Sequence, residues 1–190
     1  MNFPEVLPKI ISALERANVA YMLTGSFASA YYGSLRSTQD IDLVIEATPP
    51  QLRTLVESLP SSEYYVEIDA ALEAHQRTSM FNIIDLKSGW KIDMITRKDR
   101  AFSREEFRRR QQITTQGLSF FIASAEDIVL AKLEWSKLAQ SQRQIADAAG
   151  ILKASWDSLD LSYLKKWIGE LGLEKEWNDV QCAAQISEST

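Results

Sequence analysis

The chain has 190 residues, of which 45% are hydrophobic and 25% are charged, and its formal net charge is −5. This composition is typical of a globular protein, and the length suits one domain with a full core or two small ones. The negative charge argues against broad, sequence-independent binding to duplex DNA, which requires many cationic contacts to phosphate.

The sequence gives no sign of membrane insertion or secretion. No apolar run approaches the roughly 20 residues that span a bilayer. The first residues lack the basic start and leucine-rich core of a signal peptide. The single cysteine, Cys182, excludes an internal disulfide framework. We therefore expect a cytoplasmic protein without a membrane partner.

Helices and strands are predicted to alternate up to about residue 122. Hydrophobic periodicity and turn residues predict these elements in chain order: helix 3–18, strand 20–23, helix 27–32, strand 41–45, helix 49–59, strand 64–68 and helix 70–77. A hairpin of strands 79–86 and 90–95 follows, then a basic helical segment, then short strands at 113–115 and 118–122.

From residue 124 the sequence predicts helices alone, at about 124–138, 141–153, 160–171 and 173–184. The first begins with the capping pattern Ser124-x-x-Asp127. The chain is therefore predicted to be α+β, with a mixed sheet flanked by helices in residues 1–122 and a helical bundle, residues 123–190, packed on that sheet.

Two carboxylates dominate the second predicted strand. Asp40 and Asp42 share one face, whereas Ile41, Leu43 and Ile45 share the other, because side chains alternate along a strand. The apolar face is expected to be buried. The acidic face must contact water or bind a cation, and an acidic face that is merely solvated is the simpler alternative.

Asp93 supplies a third carboxylate if its strand pairs beside the first. It lies between Ile92 and Met94, which would point to the opposite face. Three converging carboxylates favour a hard divalent cation such as Mg²⁺, with Mn²⁺ as a substitute. A site with two ions would place Asp40 and Asp42 on the triphosphate metal, with Asp93 at the second metal and as proton acceptor. Asp85 is the alternative third carboxylate.

Three residues upstream of the acidic strand are candidates for phosphate binding. Gly25 allows a tight turn, and Ser26 offers a hydroxyl and an amide to a phosphate, or merely caps the helix. Arg36 lies four residues before Asp40, where its guanidinium could pair with phosphate oxygens or with one of the aspartates.

The segment 97–110 is basic, with seven arginine or lysine residues against three acidic ones. A solvated helix face is one interpretation. The other is a rim that receives a triphosphate or a nucleic-acid acceptor.

Three motifs together resemble the nucleotidyltransferase superfamily, whose catalytic fold is shared with DNA polymerase beta. They are Gly25-Ser26, Gly33-x-x-Arg36-x-Thr38-x-Asp40-Ile41-Asp42-Leu43 and Lys91-Ile92-Asp93. The second motif is most similar to the AbiEii-type abortive-infection branch, which includes toxins of toxin–antitoxin systems. Those toxins usually carry a second glycine where this chain has Ser26.

The C-terminal half resembles the helical motif of the same branch through Ser124-x-Glu126-Asp127-Ile128-x-x-x-Lys132-Leu133 and Arg143-x-x-x-Asp147. The resemblance implies that Lys132 contacts the nucleotide and that Asp147 belongs to the nucleotide cleft, which the C-terminal region would close. Lys132 also lies on the apolar stripe of its helix, where a lysine is costly without a partner unless its stem passes the core to reach water.

The resemblance implies a magnesium-dependent nucleotidyltransferase that moves an NMP from an NTP to a hydroxyl acceptor and releases pyrophosphate. The acceptor, which could be a tRNA, a protein or a small molecule, stays open, and an antitoxin protein is a further candidate partner. Two alternatives also stay open: a catalytically silent module that binds nucleotide or a partner protein, and a nucleic-acid binder acting through residues 97–110.

Overall fold

The computed structural model describes residues 4–34 and 38–186. Within those residues the chain forms nine α-helices, seven strands and a short 3-10 turn at Trp156–Ser158. The chain divides into two compact units, each built from two segments. The first unit combines the segment that ends at Thr24 with Thr38–Ala123, and the second combines the segment that begins at Gly25 with the segment that begins at Ser124.

The first unit is organised around one mixed sheet of seven strands. The strands are β1 (Ala20–Thr24), β2 (Asp40–Glu46), β3 (Tyr64–Tyr65), β4 (Met80–Asp85), β5 (Lys91–Thr96), β6 (Gln111–Thr115) and β7 (Leu118–Ile122). Their order across the sheet is β3-β4-β5-β2-β1-β7-β6. β2 therefore lies in the middle, antiparallel to β1 and parallel to β5.

Four helices belong to this unit: α1 (Val6–Arg16), α3 (Pro49–Glu57), α4 (Ile68–Arg77) and α5 (Ala101–Arg108). α1 forms where the sequence predicts it, and its buried stripe includes Val6, Ile10 and Leu14, which recur at helical spacing. α3 begins with a reciprocal capping box between Thr48 and Gln51, which satisfies backbone donors at the helix start.

The strand predictions are confirmed, with adjusted ends. The hairpin is β4 and β5, joined by the turn that contains Lys87-Ser88-Gly89. The strand predicted at 64–68 shortens to Tyr64–Tyr65, because α4 already begins at Ile68. Ile41, Leu43 and Ile45 are buried along β2, as the alternating pattern predicts.

The second unit is helical. It contains α2 (Gly25–Tyr31), α6 (Ala125–Ala139), α7 (Gln142–Ser155), α8 (Leu161–Leu171) and α9 (Glu174–Ala184). The predicted cap of α6 is confirmed, because the backbone amide of Asp127 donates to Ser124 Oγ. Asp160 caps α8 in the same way by accepting from the Tyr163 amide.

The architecture is thus the predicted α+β class with a mixed sheet. Among the described residues, no helix has the length and apolar character that crossing a bilayer requires.

Candidate functional site

The acidic face of β2 lies at the centre of the sheet. Asp40 is exposed and Asp42 is half-buried, while Ile41, Leu43 and Ile45 are buried on the other face. The same strand therefore contributes to the core and presents two carboxylates, as its alternation requires.

β5 places a third carboxylate on that face. Asp93 is the register partner of Asp42 on the neighbouring parallel strand, so both side chains leave the sheet in the same direction. The Asp93 side chain is 9% exposed, much less than the Asp40 side chain, which is 52% exposed. The predicted pairing of these two strands is confirmed, and it brings the three predicted carboxylates to one face.

Lys91 completes a cluster of four charged side chains. It is the register partner of Asp40 and lies two residues before Asp93 on β5. Its Nζ lies 2.9 Å from Asp93 Oδ2 and 3.6 Å from Asp40 Oδ1. The hydrogen bond to Asp93 raises the pKa of Lys91 above its ordinary value, and the charges of Asp93, Asp40 and Asp42 act in the same direction.

Asp93 is held from a second side as well. Asn82, its register partner on β4, donates from Nδ2 to Asp93 Oδ1, while Lys91 donates to Oδ2. Both carboxylate oxygens therefore accept charge-assisted hydrogen bonds, which fixes the orientation of a largely buried acidic group.

The alternative third carboxylate, Asp85, has a different position. It ends β4, where its side chain accepts from the Lys87 amide and the Ser88 hydroxyl and so stabilises the hairpin turn. Its place in β4 also alternates with that of Asn82, so Asp85 points to the opposite face of the sheet.

The three carboxylates of this cluster are donors of the kind that Mg²⁺ takes. Mg²⁺ takes hard oxygen ligands and usually binds through one or two protein carboxylates together with water and substrate phosphates. The described residues contain no cage of three acidic, histidine or cysteine side chains that is already arranged around a metal position. Carboxylates on neighbouring strands that are completed by phosphate oxygens match the way in which Mg²⁺ is usually held.

The residues predicted to bind phosphate lie in the second unit or outside the described residues. Gly25 begins α2 with φ +66°, the left-handed backbone that a glycine supplies most easily, and Ser26 follows it. Arg36, the third of these residues, lies outside the described residues.

Lys132 and Asp147 contact each other inside the second unit. Lys132 Nζ lies 2.8 Å from Asp147 Oδ2, and both side chains are buried, with exposed fractions of 7% and 6%. Ser34 adds a hydrogen bond to Asp147 Oδ1 at 3.4 Å. The partner that Lys132 requires in an apolar environment is therefore present on α7.

Trp135, one turn further along α6, has a different environment. It is 60% exposed, whereas Trp167 and Trp177 are buried in the core of this unit. An exposed indole is free to stack on a planar ligand, which a core residue is not.

The basic segment 97–110 is largely engaged in local contacts. Arg97 pairs with Glu46 at 2.7 Å, and Arg104 pairs with Asp99 at 2.8 Å. Other members also have nearby partners: Arg108 pairs with Glu105 on α5, and Arg110 lies over the rings of Phe107 and Phe121. These contacts favour the interpretation of a solvated helix face over a rim that receives nucleic acid.

A surface groove in the first unit lies apart from the acidic face. It has a volume of about 430 Å³ and is lined by α1 and by residues 58–60, 63 and 64. None of its lining residues belongs to the predicted site. Two of its charged lining residues, Lys9 and Glu63, already pair with each other at 3.2 Å.

A comparison with protein families matches residues 5–189 to the family described as nucleotidyltransferase of unknown function, DUF6036. The chain belongs to this family. Among curated proteins, no match to this chain was found.

Solved structures share the fold of this nucleotidyltransferase. An antigenic nucleotidyltransferase-like protein from Paracoccidioides brasiliensis is 16% identical, with a TM-score of 0.56 over 96% of this chain and 91% of the other. The lincosamide antibiotic adenylyltransferase LnuA, solved with lincomycin, is 15% identical, with a TM-score of 0.53 over 80% and 98% of the two chains. The antibiotic-resistance factor ANT(2'')-Ia is 13% identical, with a TM-score of 0.55 over 90% and 91%.

Lys91 of this nucleotidyltransferase belongs to one of the quoted motifs, but the sequence gave it no role. The signal that could have found it is its spacing of two from Asp93, which places both side chains on one face of β5. Its contact with Asp40 was not readable, because it depends on the register between two strands that are far apart in sequence.

Proposed function

We propose that this member of the nucleotidyltransferase family is a metal-dependent enzyme that transfers an NMP from an NTP to a hydroxyl acceptor and releases pyrophosphate. The observation that carries the proposal is the register of β2 and β5, which sets Asp42 opposite Asp93 on the face that also presents Asp40.

The reaction is an in-line displacement at phosphorus. The acceptor oxygen forms a bond to the α-phosphorus, the bond from that phosphorus to the oxygen bridging the β-phosphate breaks, and pyrophosphate leaves. Bound Mg²⁺ supplies positive charge that offsets the charge on the phosphates and orients them. Asp40 and Asp42 are the residues that would hold it, with Asp93 as the third ligand and as the base that accepts the acceptor proton.

The triphosphate contacts are proposed on the family resemblance alone. It assigns Gly25, Ser26 and Arg36 to the phosphates and Lys132 with Asp147 to the nucleotide. The observed Lys132–Asp147 ion pair means that a nucleotide contact by Lys132 has to compete with a buried carboxylate.

The test is calorimetric titration of a non-hydrolysable ATP analogue, with and without Mg²⁺, into wild-type protein and Asp40→Ala/Asp42→Ala. We expect binding that requires Mg²⁺ and disappears in the double variant. Asp69→Ala/Asp179→Ala, which removes the same charge at exposed helical positions, is the matched control and should bind like wild type. Metal-independent binding, or equal binding by both double variants, would contradict the proposal.

Transfer itself is measured with an α-labelled NTP and a screen of acceptors. Small molecules come first, because two proteins that share the fold are described as an antibiotic adenylyltransferase and an antibiotic-resistance factor; tRNA and protein hydroxyls follow. Nucleotide binding without transfer to any acceptor would favour the silent nucleotide-binding module instead.

The finer proposal is an AbiEii-type toxin with an antitoxin partner, and the motif from Gly33 to Leu43 supports it. Induced expression in a bacterial host should then arrest growth, and Asp40→Ala/Asp42→Ala should abolish the arrest at equal protein level. Normal growth with active wild-type enzyme would remove the toxin assignment and leave nucleotidyl transfer in place.

A further inference from the structure

Lys91 occupies the space between two carboxylates that belong to different strands. Its Nζ lies 2.9 Å from Asp93 Oδ2 on its own strand and 3.6 Å from Asp40 Oδ1 on β2. A cation that bridges Asp40 and Asp93 would compete with this ammonium for Asp93 Oδ2, because Asp93 Oδ1 already accepts from Asn82. The ammonium group therefore occupies the position that a cation shared by these carboxylates would take.

The surroundings of Asp93 determine how easily a metal ion can reach its carboxylate. Its Oδ1 accepts from Asn82 and its Oδ2 accepts from Lys91, and the residue is 7% exposed. Each oxygen of this buried carboxylate therefore has one lone pair engaged, and the positive charge of the Lys91 ammonium repels a metal ion that approaches Oδ2. For a divalent ion to bind Oδ2 without this repulsion, the Lys91 ammonium has to move away from that oxygen.

The Lys91 ammonium can move away from Asp93 into water. Its side chain is 41% exposed, so the ammonium group can reach water without disrupting the core. The stem carries a compact charge on rotatable bonds, unlike the planar and multiply bonded guanidinium of arginine. Among Asp40, Asp42, Asp93 and Lys91, three carboxylates face one ammonium, so a divalent cation compensates their charge better than Lys91 does.

We propose that Lys91 is a resident counter-cation that holds the carboxylates together without metal and is exchanged for the divalent ion when Mg²⁺ binds. This inference rests on the proposed function, because it requires the metal to bind at Asp40, Asp42 and Asp93. Lys91 is a positioning residue in this scheme: its hydrogen bond holds Asp93 in one orientation, and its charge lowers the affinity for metal that arrives without nucleotide.

The test measures Mn²⁺ affinity in the absence of nucleotide, by electron paramagnetic resonance of free Mn²⁺. The variants are Lys91→Met, which removes the charge and the hydrogen bond, and Lys91→Gln, which keeps an amide donor for Asp93 and removes only the charge. We expect both to bind Mn²⁺ about tenfold more tightly than wild type. Lys87→Met, which removes the same charge from an exposed position in the turn of the same hairpin, should leave the affinity unchanged.

A salt bridge that only stabilises the fold predicts the opposite pattern. Its loss would lower the melting temperature and leave Mn²⁺ affinity unchanged or weaker. Folded Lys91→Gln protein, verified by circular dichroism, that binds Mn²⁺ no more tightly than wild type would overturn the inference. Lys91→Gln covers the case in which Lys91→Met does not fold, because its amide can still donate to the buried carboxylate.

The outcome also separates this inference from the proposed function. If Asp40→Ala/Asp42→Ala abolishes Mn²⁺ binding and the Lys91 variants do not tighten it, only the role of Lys91 fails. If wild type and both Lys91 variants bind no Mn²⁺ even with the non-hydrolysable ATP analogue present, or if the aspartate double variant binds it normally, the proposed metal site itself fails.

Discussion

Asp42 and Asp93 are register partners on two parallel strands, although they lie 51 positions apart in the sequence. Because partners in register point to the same side of a sheet, their carboxylates share one face, and they do so on strands whose other faces are buried in the core. The catalytic proposal therefore depends on groups that are fixed by rigid elements, which favours precise placement.

Asp93→Asn tests the role of this pair. The substitution removes the charge and keeps the shape, so the fold should persist, while NMP transfer should fall at least about 100-fold because a metal ligand and base is lost. Transfer of label from an α-labelled NTP measures the effect, and a melting curve checks the fold. Asp179→Asn, at an exposed position on α9, is the control. Unchanged nucleotide consumption together with unchanged metal affinity would remove Asp93 from the site.

Because Lys132 and Asp147 form a buried ion pair, we expect substitutions of the two residues to have non-additive effects on the free energy of unfolding. Each single change, Lys132→Met or Asp147→Leu, leaves an uncompensated buried charge and should lower the free energy of unfolding by about 3–5 kcal/mol. The combined variant should recover most of that loss, since no charge then remains. Chemical denaturation of the four proteins gives the coupling energy. Additive losses would show that the two side chains do not stabilise each other and would contradict the importance of this ion pair.

Gly33 packs so closely against Ala154 that any larger residue should clash there, and a second substitution should relieve the clash. Its φ is +109°, and a Cβ at this position would lie 2.3 Å from the Cβ of Ala154 on α7. Gly33→Ala should therefore destabilise the second unit by about 1–3 kcal/mol, through both the clash and the backbone strain.

The double change Gly33→Ala/Ala154→Gly separates those two causes. It removes the clash and leaves the strain, so it should be more stable than expected from adding the loss of Gly33→Ala to that of Ala154→Gly measured alone. Strict additivity in urea denaturation would show that the contact with Ala154 does not limit this position.

The raised pKa of Tyr21 predicts that the protein loses stability at alkaline pH. Burial raises the pKa of Tyr21 to about 12, and the nearby Glu15 carboxylate adds to the effect. The folded state therefore keeps its proton where the unfolded chain, with a pKa near 10, releases it. This contribution to stability is fully present below about pH 10 and is lost as the pH rises towards 12, because the unfolded state then binds fewer protons.

Tyr21→Phe should accordingly show a shallower decline of unfolding free energy between about pH 10 and pH 12 than wild type. Tyr31→Phe, at an exposed position, is the control and should follow the wild-type curve. A wild-type slope in Tyr21→Phe would mean that other groups account for the alkaline loss.

Several elements were predictable because they depend on local pattern. The alternation along β2 is enough to separate Asp40 and Asp42 from Ile41, Leu43 and Ile45. The cap at Ser124 and the hairpin of β4 and β5 are likewise encoded within a few residues. Element ends were less exact, since the strand predicted at 64–68 gives way to α4, whose first turn begins at Ile68.

Local sequence patterns were sufficient to predict the class of fold, the three candidate carboxylates and the nucleotidyltransferase family. Strand periodicity and motif spacing can be read without knowing any contact between distant residues. The groups that those carboxylates meet depend instead on how the chain folds. Strand register places Lys91 between Asp40 and Asp93 and places Asn82 on the other oxygen of Asp93. Helix packing gives Lys132 its partner in Asp147. Such contacts join residues that are distant along the chain, and their energies depend on burial and on distances of a few ångströms, which no local pattern specifies.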